Sequence, residues 1–366
     1  MFRSLDEARQ FLDDAGLGHL ADRILPHLHP CLVFNSASPD RTGGTRTGGV
    51  PDLPPGLDWP VRPVPANAEG IANLGGSNHS EWIARHLSVP LPYEFLAQID
   101  LAGVARHPGS AGLPTSGRLL FFYDGAVGPW GDTRSAGRVL FDPSPVAALT
   151  PAPVPAALAA LAATERGEHD RMQADPMEMA KSFLPEQLKI ISGTLKPGET
   201  LEDHFRSIVQ SISFSSRYLH PAQPMTIERA LQWPGQGSPE ATASPELGSP
   251  VERGTIDSIM ERPDFNAPPA TSRHVFLGIP IAEQDDARYD AVFITDPDLQ
   301  KRLNADRPTV WPEVEARAAE WRLLLQIDQS ALMADRFVEG MIYFVIRRDD
   351  LSRRDFSRVL TIYQQT

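Results

Sequence analysis

A single cysteine, Cys31, in 366 residues rules out an internal disulfide and a thiolate metal cage. No apolar run approaches the roughly 18–20 residues needed to cross a bilayer, and the opening stretch MFRSLDEARQFLDDAG holds no apolar leader core. The cytoplasm is therefore the expected location, with no membrane partner. Positive charge is also scarce: 34 Lys and Arg stand against 47 Asp and Glu, a formal net charge of -13. Such a surface repels phosphate backbones, which argues against nucleic acid and for a basic protein partner. Missing too are the Gly-x-Ser-x-Gly, His-Glu-x-x-His, Gly-x-Gly-x-x-Gly and EF-hand patterns. No motif names a reaction or a cofactor, and a binding role is preferred to an enzyme.

What the chain does have is a repeat. Phe95-Leu96-Ala97-Gln98-Ile99-Asp100 lines up with Leu323-Leu324-Leu325-Gln326-Ile327-Asp328. The run after Gly117 (RLLFFYD) lines up with the run after Gly340 (MIYFVIR), and GRVLF at Gly137 with SRVLTIY at Ser357. Alternation puts Phe95, Ala97, Ile99 and Leu101 on one strand face and Leu96, Gln98 and Asp100 on the other. The Asp100–Ser116 link contains Pro108, Gly109, Gly112 and Pro114, which oppose a crossover helix and favour antiparallel pairing. Neither half has enough strands to close a core alone. The expected fold is α+β: a duplicated, mainly antiparallel sheet core with pseudo-two-fold related halves and peripheral helices. One domain would span 1–366, with a first half to about residue 150, a helical and loop insert to about 250, and a second half after it.

Around this core the pattern predicts a capped helix after Ser4, a short helix over 18–25, a strand at Cys31–Asn35 and a loop at 74–80 leading into a helix over 81–87. Helices are expected over 155–164, from Asp175 to Ile191, and over 201–211, then strands over 212–219 and 225–233. Pro234–Pro250 reads as an exposed loop, Asp290–Thr295 as a strand, and Val310–Trp321 as a helix. The final strand follows a turn capped by Asp349 or Asp350.

Three sets of residues could carry chemistry. Gln98 with Asp100, and Gln326 with Asp328, are polar groups on half-buried strands. Each amide either ties neighbouring backbone together or helps His274 line a ligand cleft between the halves, and the structural role is preferred. In RTGGTRTGG, Arg41 and Arg46 with the amides of Gly48 and Gly49 could hold an anion, although no Gly-Lys-Ser/Thr makes this a P-loop. His27, His29 and Cys31 alternate, but a strand spaces such side chains about 7 Å apart, so no metal site is expected.

Gly48-Gly49-Val50-Pro51 with Trp59-Pro60, the Gln98 and Gly117 strands, His274–Pro280 with Gln284, and the Trp321–Asp328 and Gly340 strands together resemble the YwqG-like family of bacterial proteins, a domain of unknown function. The resemblance implies a duplicated antiparallel sheet core and no established reaction. It also suggests a protein-binding role, such as immunity against a basic toxin. The alternative is a small-molecule-binding protein or enzyme with its site between the halves.

Overall fold

The computed structural model describes residues 1–37, 39–74, 76–107, 109–125, 128, 136–181, 183–211, 214–235, 237–242, 250–260, 274–333 and 339–365. In chain order the strands are β1 (His29–Ser36), β2 (Arg46–Thr47), β3 (Asp52–Leu53), β4 (Val61–Arg62), β5 (Leu91–Pro92), β6 (Glu94–Asp100), β7 (Arg118–Tyr123), β8 (Gly137–Asp142), β9 (Thr150–Pro151), β10 (Gln223–Gln232), β11 (Val275–Phe276), β12 (Trp321–Asp328), β13 (Met341–Arg347) and β14 (Leu360–Gln364). Ten of them form one sheet, ordered β14-β13-β12-β11-β1-β10-β2-β6-β7-β8, with β3-β9 and β4-β5 as small satellite pairs. Every pairing is antiparallel. The class is α+β.

The two outer meanders, β6-β7-β8 and β12-β13-β14, curl toward each other and nearly close a barrel. Phe121 meets Phe344 edge-on with ring centroids 5.1 Å apart, and Phe141 meets Phe356 at 6.0 Å. The barrel interior is one apolar cluster that takes Leu96, Ile99, Leu119 and Phe121 from one meander and Leu324, Ile327, Ile342 and Phe344 from the other. Helices Ala287–Thr295, Pro297–Ala305 and Arg307–Ala318 cover the outside of β12 and β13, packing Ala291, Val292 and Val314 against Leu323, Tyr343 and Val345.

The meanders match in detail. β6 has a bulge between Phe95 and Ala97, and β12 has one between Leu323 and Leu325. Gln98 stands opposite Arg46 of β2, and Gln326 opposite Val275 of β11. The Leu101 amide donates to Gly117 and the Gln329 amide to Gly340. Both glycines have left-handed backbones, φ 87° and 114°. Leu96 O accepts from Gly48 N (2.8 Å), and Leu324 O accepts from Leu277 N (3.2 Å). Leu277 keeps φ at 57° although it has a side chain, a backbone strain of order 1 kcal/mol. At Gly48 (φ 64°) no side chain fits, because a Cβ would lie 2.1 Å from Pro221 O.

Several elements differ from expectation. Asp290–Thr295 is not a strand but the end of helix Ala287–Thr295. The Asp286 carboxylate caps that helix by accepting from Arg288 N, and its apolar side faces the sheet. Residues 214–219 are not extended; Ser216 Oγ donates to Glu165 and accepts from Tyr218 N, which turns the chain there, while 212–213 lie outside the described residues. The helix expected from Asp175 to Ile191 is two, Met177–Ala180 and Pro185–Thr194, because Pro185 restarts it at a first-turn position. The helix expected from 81 starts earlier, at Gly76. Within Pro234–Pro250, Pro239–Thr242 is helical and residues 236 and 243–249 lie outside the described residues. Leu101 leaves the strand and opens a helical turn, Leu101–Val104, that Asp100 caps. Among the described residues no helix is long and apolar enough to cross a membrane.

Candidate functional site

Gln98 is the point from which the candidate site is built. Its side chain is fully buried on the same strand face as Leu120, its partner on β7. Its Oε1 accepts from Asp52 N at 2.9 Å, while Nε2 donates to Gly44 O at 2.9 Å and to Asp52 Oδ2 at 3.0 Å. The Asp52 carboxylate, also fully buried, accepts from Gly43 N at 2.7 Å and pairs with Arg46 at 2.8 Å. Burial pushes the Asp52 carboxyl up, but the bonds from Arg46, Gln98 and the Gly43 amide outweigh it and hold it below the usual carboxylate range. Arg46 also donates to Val50 O at 2.7 Å and reaches Asp40 at 3.3 Å. Amide, carboxylate and guanidinium thus cinch the loop from Asp40 to Asp52 onto β6.

That loop forms one wall of a cavity of about 450 Å³. Its other walls are the start of β10 (Pro224–Ile227), Ala37 just after β1, and the helical turn after Asp100. Asp40, Arg41, Asp100, Arg106 and His107 supply its charged and titratable groups. Gly44 lets Arg41 lie across the loop: a Cβ there would sit 3.0 Å from Arg41 Cγ and from Arg41 O. The Gly44 amide donates to Arg41 O at 2.9 Å, closing the turn that carries Arg41 to the cavity.

In the other half, Gln326 makes the matching clamp. Its Oε1 accepts from Ile281 N at 2.8 Å, as Gln98 accepts from Asp52 N, and its Nε2 lies 3.7 Å from Met341 Sδ. Where the first half has buried Arg46 and Asp52, the second has Val275 and Ile281. The Asp328 amide donates to His274 Nδ1 at 3.1 Å, as the Asp100 amide donates to Thr45 Oγ1 at 3.0 Å. His274 is fully buried, edge-on to Phe34, and burial pushes its imidazole down to about 4, with Asp328 opposing. Asp328 itself caps the next turn through Ser330 and Ala331.

Of the residues singled out from sequence, only Asp100 and Arg41 come together at the cavity. Gln98 and Gln326 lie on sheet surfaces covered by different clusters, Gln98 opposite Leu120 and Gln326 opposite Tyr343. Of the expected anion grouping, Gly48 N and Gly49 N donate to Leu96 O and His220 O, and Arg46 is held by Asp52, Val50 and Asp40, while Arg41 lines the cavity. His27 belongs to a 3₁₀ turn before β1 starts at His29, so the alternation His27, His29, Cys31 is broken. Among the described residues no three His, Cys, Asp or Glu side chains are placed to hold a metal ion.

The family model described as domain of unknown function DUF1963, which comprises the YwqG-like proteins, matches residues 45–364. The chain belongs to this family. No curated protein matches the chain significantly. Within the DUF1963 span lie both glutamine clamps, the Arg46–Asp52 pair, Arg106 and His107; Asp40 and Arg41 lie just before it.

Arg106 and His107 are cavity residues that no motif marks, since a lone Arg-His in a polar loop looks like any solvated pair. Two buried charge centres were also hidden. Arg62 Nε lies 2.5 Å from Asp124, next to His86, which stacks between Trp82 and Tyr218. Nearby, burial and Asp124 push the Glu94 carboxyl well above its usual range. In the second half Arg288 bridges Glu240 at 2.5 Å and Asp286 at 2.7 Å. Arg62 and Asp124, and Arg288 and Glu240, are far apart in the chain, so their spacing carries no signal; only Asp286, two residues before Arg288, is a sequence neighbour of its partner.

Proposed function

We propose that this DUF1963 protein works by binding rather than by catalysing a reaction, and that its recognition site is the cavity beside the cinched Asp40–Asp52 loop. The carrying observation is the contrast between matched positions: Arg46 and Asp52 in one half, Val275 and Ile281 in the other. A buried ion pair seldom adds stability over well-packed apolar side chains. Keeping one beneath the half that carries this cavity wall supports a role in shaping the loop. The same matches support two copies of one unit, related by a pseudo-two-fold axis and folded as one domain over 1–366. A second reading draws on the net charge of -13: the exterior engages a basic protein in the cytoplasm, with a toxin as the specific form.

The test uses Gly103, which lines the cavity and whose Cβ would meet open space. Thermal unfolding is followed against a panel of compact anionic, cationic and neutral metabolites. A true ligand at a hundred times its Kd stabilises by about 2.7 kcal/mol. Gly103→Trp should remove that gain while leaving the unliganded melting temperature close to the parent's. A panel with no stabilising member, or one whose gain survives in Gly103→Trp, would sink the cavity reading; retained binding of a basic protein by Gly103→Trp would favour the second.

A further inference from the structure

The ionised groups around the cavity divide into those engaged by the fold and those left to solvent. Asp40 accepts from Arg41 N at 2.9 Å and lies 3.3 Å from the Arg46 guanidinium. Asp100 accepts from Ala102 N at 3.0 Å and caps its turn. Arg46 is committed to Asp52, Val50 and Asp40. Arg41 and Arg106 differ: among the described residues neither guanidinium has an ion-pair or hydrogen-bond partner, and the His107 ring beside them has none either. On a chain of net charge -13, two uncommitted guanidiniums that balance the lining carboxylates Asp40 and Asp100 make the cavity locally less negative than the chain as a whole.

From this we infer that the cavity takes a ligand bearing an oxyanion, a carboxylate or a phosphoryl group, held by Arg41 and Arg106 with His107 beside them. The inference rests on the cavity being the recognition site and adds the chemistry of its occupant. Guanidinium suits this task because its planar donors match the paired oxygens of either group and remain charged at any physiological pH. The structure also gives Arg41 a fixed origin. Gln98 holds Gly44 O, the Gly44 amide holds Arg41 O, and the bare Gly44 Cα leaves room for the Arg41 side chain to cross toward the cavity. Gln98 is therefore a positioning residue for Arg41. Arg106 comes from a different wall, just after the turn that Asp100 caps.

Calorimetric titration of the 366-residue chain with inorganic phosphate and with acetate, at ionic strength held constant by chloride, tests the inference. One oxyanion should bind per chain, and Arg41→Gln and Arg106→Gln should each weaken it about tenfold, the loss expected for one charge-assisted contact. Tighter phosphate binding would assign a phosphoryl group, tighter acetate binding a carboxylate. Both substitutions remove exposed side chains, so folding is not at issue. Absence of binding by either anion above the chloride control, or equal affinity in both variants and the parent, would overturn the proposal. Should a neutral panel member bind the parent but not Gly103→Trp while both oxyanions fail, the cavity reading stands and the oxyanion inference falls.

Discussion

Arg46→Leu is expected to destabilise the protein by about 3–5 kcal/mol, because it leaves the Asp52 carboxylate buried without its cation. That is a large share of the 5–15 kcal/mol by which domains are ordinarily stable. Asp52 is fully buried, and its bonds from Gly43 N and Gln98 do not supply a countercharge. The matched half indicates how the loss is offset. Arg46→Val combined with Asp52→Ile reproduces the Val275–Ile281 arrangement and removes both charges together. The double variant should therefore be less destabilised than the sum of its single changes, by roughly 0.5–3 kcal/mol of coupling. Urea unfolding of the four proteins in the cycle measures this. Additive effects would mean that the ion pair does not act as a unit. The pair also has a pH signature. The Asp52 carboxyl lies below its unfolded value, so its contribution is fully present above about pH 3.9 and is lost as pH falls from there through the depressed value.

The second large effect belongs to His274. Its folded imidazole sits at about 4, against an unfolded value near 6.5. Between those values the unfolded chain takes up a proton that the folded chain refuses, so stability falls as the solution is acidified. The slope is about 1.4 kcal/mol per pH unit, roughly 3 kcal/mol over the whole window. His274→Asn keeps an acceptor for the Asp328 amide but does not titrate. Relative to the parent, that variant should gain about 1.4 kcal/mol for every unit of acidification from pH 6.5 toward 4, and nothing between pH 7 and 8. His220, also pushed down to about 4, and Glu94, pushed up, are present in both proteins and cancel from the comparison. Denaturation curves at four pH values decide the matter: parallel pH profiles would mean that His274 titrates like a solvated side chain.

The parts of this fold that were legible in the sequence are the contiguous apolar strands. The bulge between Phe95 and Ala97 nevertheless breaks the expected alternation, putting Leu96 with Ala97 and Ile99 in the interior and Phe95 on the other face. Gln98 and Gln326 fall at the same place in two apolar strands, and in each half a glycine precedes the next strand, Gly117 in the first and Gly340 in the second, although after links of different length. Helix Ala287–Thr295 shows where such reading fails. Ala291-Val292-Phe293-Ile294-Thr295 is short, apolar and rich in branched side chains, and only the caps at Asp286 and Asp296 mark it as helical. The amide clamps were foreseeable as buried groups needing partners, but their partners were not, since Asp52 lies 46 residues from Gln98 and Ile281 lies 45 from Gln326. The cavity was hidden for the same reason. Its walls come from Ala37 and residues 39–45, from 100–107 and from 224–227, and only Arg41 and Asp100 stand beside features that the sequence makes conspicuous.

The two glutamines clamp backbone in matching ways, and in the proposed reading only Gln98 also shapes a binding loop. The direct measurement compares Gln98→Leu with Gln326→Leu, reading melting temperature and oxyanion affinity on the folded fraction of each. Both variants should be less stable, by about 1–3 kcal/mol for each backbone group left without its amide partner. Only Gln98→Leu should weaken oxyanion binding, because only its Nε2 holds the Gly44 carbonyl that sets the turn carrying Arg41. Equal affinity in the two variants, or unchanged melting temperature in both, would contradict the account.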